Sequence, residues 1–245
     1  MQIPIRDATM EALYMQDSYL REFEATVKEV NDGKYVMLDQ TAFYPSSGGQ
    51  PHDTGILTRI FDNKDFRVVF VGKFSGMISH EVNEEGLQLG DKIKGYIDWD
   101  RRYKLMRMHT AAHILSGVIE QETGALITGN QLDLDKSRLD FNLEDFDREK
   151  IPRYFEESNK AVDKDLPIKV SFLPREEAMK DQSLFKLVAG FPHQVQTIRI
   201  VDIVGLVKEA DGGTHVHSTK EVGHLKFLRA ENKGKDNRRV YYELE

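Results

Sequence analysis

The chain has 245 residues, of which 40% are hydrophobic and 31% charged, a balance that favours a globular protein with one large domain or two smaller ones over a disordered chain. Cysteine is absent, which excludes disulfides, a thiolate nucleophile and any metal site built on sulfur. The net charge of −7 argues against a non-specific nucleic-acid binder but leaves room for a local basic patch.

The first seven residues carry charge where a secretory signal would need an apolar stretch. No apolar run further along the chain approaches the length that crosses a bilayer. We therefore expect a cytoplasmic protein that has no membrane partner.

Residues 1–99 predict a strand-rich domain. The turn-forming sequence Asn31-Asp32-Gly33-Lys34 predicts a hairpin between the first two long strands. Short strands at this close spacing predict a small antiparallel barrel or sandwich. The extended segments are predicted at residues 24–30, 34–38, 53–61, 66–71, 78–82 and 92–98.

A loop in this first half places Gly48, Gly49 and Gln50 between two prolines. The prolines stiffen the loop, while the glycines expose backbone N–H groups to which a substrate can bind. The same sequence also suits a purely structural loop of the barrel.

Residues 100–245 predict a second domain that begins with a long helix, residues 101–122. Asp98-Trp99-Asp100 supplies an acidic N-terminal cap, and Gly124 ends the helix. The elements predicted beyond it are strands at residues 137–142, 168–173, 198–204, 225–231 and 239–244, a helix at 148–163 and a short helix at 175–181.

Two histidines on the long helix, His109 and His113, lie four positions apart. Side chains at that separation lie about 40° apart around a helix axis, so both imidazoles can reach one metal ion. The spacing equally fits two solvated histidines at the edge of the core.

A second group of candidate ligands, Asp211-Gly212-Gly213-Thr214-His215-Val216-His217, follows the predicted strand at 198–204. Zinc sites commonly combine two ligands from a helix with others far along the chain. His109, His113 and His215 would then fill three positions, and the fourth is open to Asp211, His217 or water. A plain Gly-Gly turn is the alternative.

These segments resemble the AlaX proteins, free-standing relatives of the editing domain of alanyl-tRNA synthetase. The resemblance rests on the loop at residues 48–55, the His109 to His113 pair, Arg138-Leu139-Asp140-Phe141 and Gly212-Gly213-Thr214-His215-Val216, in the family's order and spacing. It covers nearly the whole chain, and the Gly-rich N-terminal half matches the medium-length members.

The resemblance implies an α+β protein in which a small antiparallel barrel precedes a helix-backed antiparallel-sheet editing domain. It also implies a zinc-dependent deacylase that removes serine, with glycine as a further candidate, from tRNA(Ala). A tRNA-binding module without catalysis, or an esterase of the same scaffold with another aminoacyl substrate, is the alternative.

One position departs from the family, which usually has cysteine where this chain has Asp211. Aspartate oxygen can also bind zinc, so Asp211 can be the fourth ligand. The other two readings are a centre of three histidines plus water, and a chain that has lost the metal and only binds tRNA.

Roles beyond metal binding fall on a further set of residues. Asp211, Thr110 and Gln50 are the candidates at the reacting centre, and a polar partner for serine's hydroxyl would allow the site to reject alanine. Basic residues near the C-terminus are expected to touch tRNA phosphates. The substrate- and tRNA-binding candidates are Gly48, Gly49, Gln194, Lys233, Lys235, Arg238 and Arg239.

Overall fold

The computed structural model describes residues 10–74, 76–143, 149–185, 196–234 and 237–245. Internal contacts divide the chain into two compact units. The first consists of Met1–Ser47 and Pro51–Arg102, and the second consists of Gly48–Gln50 and Tyr103–Glu245.

The first unit is a closed antiparallel barrel. Six strands close it in the order β2-β3-β7-β6-β5-β8, while β1 and β4 form a short parallel pair. The strands of this unit are β1 (Glu11–Ala12), β2 (Glu22–Asn31), β3 (Tyr35–Leu38), β4 (Gln40–Thr41), β5 (Gly55–Arg59), β6 (Lys64–Phe74), β7 (Met77–Val82) and β8 (Lys92–Ile97).

Alternation along the strands creates the barrel core, as in β6, where Phe66 and Val68 are buried and Arg67 is exposed. The predicted hairpin between β2 and β3 is confirmed: Asp32 and Gly33 have φ of 47° and 69°, the left-handed conformation that a tight hairpin turn requires.

A buried ion pair between Arg102 and Asp53 lies in this unit, and both side chains are fully buried. The Arg102 Nε lies 3.0 Å from each Asp53 oxygen, and Nη2 also bonds Asp53 Oδ2. The remaining donors bond the carbonyl oxygens of Ser18 at 2.8 Å and Ala42 at 2.6 Å. The guanidinium therefore ties three separate segments of the barrel unit together.

A buried histidine makes the barrel sensitive to acid. The neutral His80 ring donates from Nδ1 to the Val36 carbonyl at 3.0 Å and accepts at Nε2 from the Thr41 hydroxyl at 2.8 Å. Burial lowers the pKa of His80 to about 4, whereas an unfolded histidine has a pKa of about 6.5.

Between these two pKa values His80 is protonated in the unfolded chain and neutral in the folded barrel. The free energy of unfolding therefore falls as the pH drops below about 6.5. We expect a loss of about 2 kcal/mol in the free energy of unfolding between pH 7 and pH 5. Urea unfolding at both pH values measures it, and His80→Asn should flatten the difference. An equal pH dependence in the variant would contradict this assignment.

The second unit contains two antiparallel sheets. One has the strand order β14-β15-β10-β9 and the other β11-β12-β13. Helix α1 (Trp99–Thr123) begins in the last residues of the first unit and continues into the second. The elements that follow are β9 (Ile127–Gln131), β10 (Ser137–Phe141), α2 (Ile151–Asp163), β11 (Ile168–Pro174), α3 (Arg175–Ala178), β12 (Thr197–Ile203), β13 (Val207–Ala210), β14 (Leu225–Asn232) and β15 (Arg238–Leu244).

Helix α1 lies at the centre of this unit, and residues 108–119 are buried on all sides. On one side the Tyr242 hydroxyl of β15 donates to the Met108 carbonyl at 2.8 Å. On the other side Gly117 lies against Val207 of β13, where an added Cβ would come within 3.0 Å. A helix packed between two sheets is apolar around most of its circumference, as observed here.

The expected α+β fold class, a small antiparallel barrel and a helix-backed antiparallel-sheet domain, is confirmed. Four strands were not predicted. In the first unit these are β1 and β4, which have two residues each. In the second unit, β9 contains glycine and asparagine, which are poor strand formers, and β13 is only four residues long. The short helix predicted to reach residue 181 ends at Ala178. Among the described residues, no helix combines the length and apolarity that crossing a membrane requires.

Candidate metal centre

Helix α1 supplies the first half of the centre. His109 and His113 are 5% and 7% exposed, and their ring centroids lie 4.9 Å apart. The four-residue spacing thus does bring the two imidazoles side by side, inside the unit and not on a solvated face.

The turn after β13 supplies the second half. The His215 ring centroid lies 4.5 Å from that of His109 and 4.7 Å from that of His113. Asp211 Oδ1 lies 3.5 Å from His109 Nε2 and 3.8 Å from His113 Nε2, while Oδ2 lies 2.9 Å from His215 Nε2. One ligand atom from each of the four residues lies within 4.8 Å of every other.

Each imidazole has a different polar side chain behind it, two in hydrogen bonds and the third, Glu209, in an ion-pair contact with His113. His109 Nδ1 lies 2.8 Å from Gln50 Oε1, His113 Nδ1 2.8 Å from Glu209 Oε1, and His215 Nδ1 3.1 Å from Thr110 Oγ1. Without a cation at the centre, His215 Nε2 donates to Asp211 Oδ2 at 2.9 Å. With one, a proton on Nδ1 of His109 and His215 would donate to Gln50 and Thr110 and leave Nε2 free to bind it. Metal-binding histidines are typically held in this way.

The donor set therefore fits a divalent cation. Three imidazole nitrogens and one carboxylate oxygen converge from a helix and a turn, and zinc accepts both donor types in a four-coordinate site. His217 is exposed and lies outside this group.

The charges in the centre suit a cation at His109, His215 and Asp211, whereas His113 must release a proton before its Nε2 can bind one. Burial lowers the pKa of His109 well below its usual range and that of His215 to about 4, so both rings are neutral at pH 7. Burial raises the pKa of Asp211, but the three imidazoles outweigh it and hold the carboxyl anionic. Burial also lowers the pKa of His113, but Glu209 outweighs it and raises that pKa to about 9.

Position 213 requires glycine because its backbone lies close to the His109 ring. Its N–H donates to Asp211 Oδ2 at 2.6 Å, and a Cβ at this position would lie 2.1 Å from His109 Cε1. Gly213→Ala should therefore displace the imidazole and reduce metal uptake at least tenfold, measured by elemental analysis after dialysis. Gly129→Ala, whose Cβ would come no closer than 3.4 Å to a neighbouring residue, is the matched control. Equal uptake by both variants would contradict the close-approach argument.

Gln50 and Thr110 lie behind the imidazoles, and each makes further hydrogen bonds to the turn that carries His215. Gln50 Oε1 also accepts from the Thr214 N–H at 3.1 Å, and its Nε2 donates to the Thr214 hydroxyl at 2.8 Å. Thr110 Oγ1 also accepts from the Val216 N–H at 3.3 Å. Both side chains therefore contact imidazoles of the centre, and their expected contact with a substrate hydroxyl stays a prediction. Gln194, which was predicted as a substrate-binding residue, lies outside the described residues.

The predicted phosphate-contacting residues are spread over different environments. Lys233 pairs with Glu231 at 2.8 Å, and Arg239 makes two bonds to Asp140, at 2.7 and 2.8 Å. Arg238 is 6% exposed and bonds the Asn232 side chain and the Gly234 carbonyl, so it offers little surface to a phosphate. Lys235 lies outside the described residues.

Glu209 is the site residue that the sequence analysis missed. Its position two residues before Asp211 was the available signal, because side chains at that separation share a face of an extended chain. The signal was hidden because β13 itself was not predicted.

Comparisons with known proteins cover both halves of the chain. A family model described as tRNA synthetases class II (A) matches residues 6–101, and one described as threonyl and alanyl tRNA synthetase second additional domain matches residues 198–241.

Two similar proteins match over nearly their whole length, and a third matches over a quarter of its length. The alanyl-tRNA editing protein AlaX-M of Methanosarcina barkeri is 52% identical over 239 residues, covering 96% of the chain and 98% of that protein. The AlaX-M protein of Saccharolobus solfataricus is 42% identical over 96% and 98% of the two chains. The alanine–tRNA ligase of Pyrobaculum neutrophilum is 38% identical over 89% of the chain, which corresponds to 25% of the ligase.

Proposed function

The chain belongs to the AlaX family of alanyl-tRNA editing proteins, and on that premise we propose that it hydrolyses the ester bond of tRNA(Ala) charged with the wrong amino acid. Serine is the proposed amino acid, with glycine as a further candidate. The observation that carries the proposal is the convergence of His109, His113, His215 and Asp211 at one buried point. A cytoplasmic location follows from the substrate.

The four converging side chains are the proposed ligands of one zinc ion. A divalent cation held there supplies Lewis-acid polarisation of an ester carbonyl or of water. An aminoacyl ester is already activated relative to an amide, so positioning and charge stabilisation suffice for hydrolysis. The protein's share of the work is to fix the four donors, of which His113 releases a proton as the cation binds.

In this proposal Gln50 and Thr110 help to hold the imidazole donors in place. Their hydrogen bonds to His109 and His215 set the orientation of two of the three rings. Because Gln50 touches His109, its neighbours Gly48 and Gly49 lie within two residues of a side chain that contacts a proposed ligand. We assign the backbone N–H groups of these glycines to contact with the acceptor end of the tRNA.

Deacylation of a panel of charged tRNAs tests the substrate. The proposal expects rapid release of serine from tRNA(Ala), slow release of alanine from the same tRNA, and little release of threonine or proline from their own tRNAs. Equal rates on all four would identify a general esterase. Binding of tRNA(Ala) without release of serine would identify a binding module.

Lys233 and Arg239 are the remaining proposed phosphate contacts, each already paired with a carboxylate. If both touch the tRNA backbone, changing Lys233 and Arg239 to glutamine should reduce the slope of log affinity against log salt by about 1 to 2. Anisotropy titrations of labelled tRNA(Ala) at several salt concentrations measure the slope. Lys160→Gln on α2 is the control, and an unchanged slope in the double variant would refute these contacts.

A further inference from the structure

Glu209 lies behind the metal centre as a second buried carboxylate. It is 7% exposed, and its Oε1 lies 2.8 Å from His113 Nδ1, the ring nitrogen that faces away from the converging donors. It is not one of the four residues whose ligand atoms converge. Its contact with the centre therefore passes through His113.

The three residues behind the imidazoles differ in charge. Gln50 presents an amide oxygen to His109 and Thr110 a hydroxyl to His215, and both are neutral acceptors. Glu209 alone presents a carboxylate. A carboxylate at Nδ1 fixes the tautomer and orientation of an imidazole and makes its Nε2 a stronger donor to a metal.

Strand pairing fixes where Glu209 points. β13 pairs with β12 in a register that places Glu209 opposite Val201, and the next residue on the same side of the chain is Asp211. The sheet therefore places the Asp211 carboxylate in the donor set and the Glu209 carboxylate behind it. Arg199 of β12, 3% exposed, bonds the Asp211 carbonyl at 3.0 Å from its Nη1 atom, which also lies 3.8 Å from the Asp211 carboxylate.

From this arrangement we propose that Glu209 is a positioning residue that sets the metal affinity of the centre by holding His113 with its Nε2 toward the cation. The inference rests on the proposed metal-dependent function. It assigns Glu209 no contact with the substrate, and it ranks Glu209 above Gln50 and Thr110 in its effect on affinity because only Glu209 brings a charge.

Metal affinity of the full chain tests this role directly. Zinc and cobalt(II) dissociation constants are measured by chelator competition for the wild type, Glu209→Gln and Glu209→Ala. We expect Glu209→Ala to weaken both metals by about 10- to 100-fold and Glu209→Gln to weaken them less, since an amide oxygen still accepts from Nδ1. Asp202→Asn, a carboxylate change on β12 of the same sheet, should leave the affinity unchanged.

The visible spectrum of the cobalt(II) form separates positioning from general stability. Saturated Glu209→Ala should show a shifted absorption band because the His113 ring is no longer held, whereas saturated Asp202→Asn should match the wild type. If Glu209→Ala does not fold, the isosteric Glu209→Gln carries the test.

The outcomes distinguish this inference from the proposed function. Wild-type affinity and spectrum in both Glu209 variants would overturn the role of Glu209 and leave the metal centre intact. A wild-type chain that binds neither metal would overturn the metal centre, and this inference with it.

Discussion

His113→Ala should abolish stoichiometric metal binding and lower deacylation of serine-charged tRNA(Ala) by about 1000-fold, or about 4 kcal/mol of transition-state stabilisation. The substitution removes one of four converging donors and leaves the buried Glu209 and the partly buried Asp211 with one partner fewer. Loss of the cation removes the charge that would stabilise the developing oxyanion. Elemental analysis and single-turnover kinetics on the same preparations measure both effects.

His217→Ala is the matched control for this prediction. His217 follows His215 by two residues but is exposed and lies outside the converging group. The control should keep its metal and its activity within about twofold of the wild type. If His217→Ala loses the metal while His113→Ala retains it, the ligand set proposed here is wrong.

Arg102→Met should destabilise the barrel unit by about 3–5 kcal/mol. The substitution leaves the Asp53 carboxylate fully buried without its ion-pair partner, and removal of one member of a buried pair typically costs this much. It also removes the donors to the Ser18 and Ala42 carbonyls. The free energy of unfolding in urea, followed by fluorescence of the single tryptophan, Trp99, measures the loss.

Two companion variants show whether the cost comes from the stranded charge. Adding Asp53→Asn to Arg102→Met removes that charge and should recover part of the stability. Lys64→Met breaks an ion pair with Glu84 whose side chains are 42% and 49% exposed, and it should cost far less. A double variant less stable than Arg102→Met alone would contradict the buried-charge explanation.

Much of the fold was predictable because its elements carry strong local signals. Asn31-Asp32-Gly33 specifies a hairpin turn by its need for positive φ, and the Asp98 cap and Gly124 mark the two ends of α1. The helical spacing of His109 and His113 likewise predicted a shared position for two imidazoles. Each of these signals lies within a few residues of the feature that it predicts.

The rest of the site could not be predicted because it depends on contacts between distant segments. Gln50 reaches His109 across 59 positions and Thr214 across 164, and no local pattern encodes such pairings. Glu209 escaped notice because a four-residue strand is too short to show alternation. Burial of Thr110 likewise depends on the packing of the turn that carries His215.

Single-turnover hydrolysis of serine-charged tRNA(Ala), before and after chelation and after zinc is restored, tests the central claim most directly. Hydrolysis should be lost when the protein is freed of metal and should return with one equivalent of zinc. Undiminished hydrolysis by protein that elemental analysis shows to be metal-free would contradict the proposed role of the converging imidazoles.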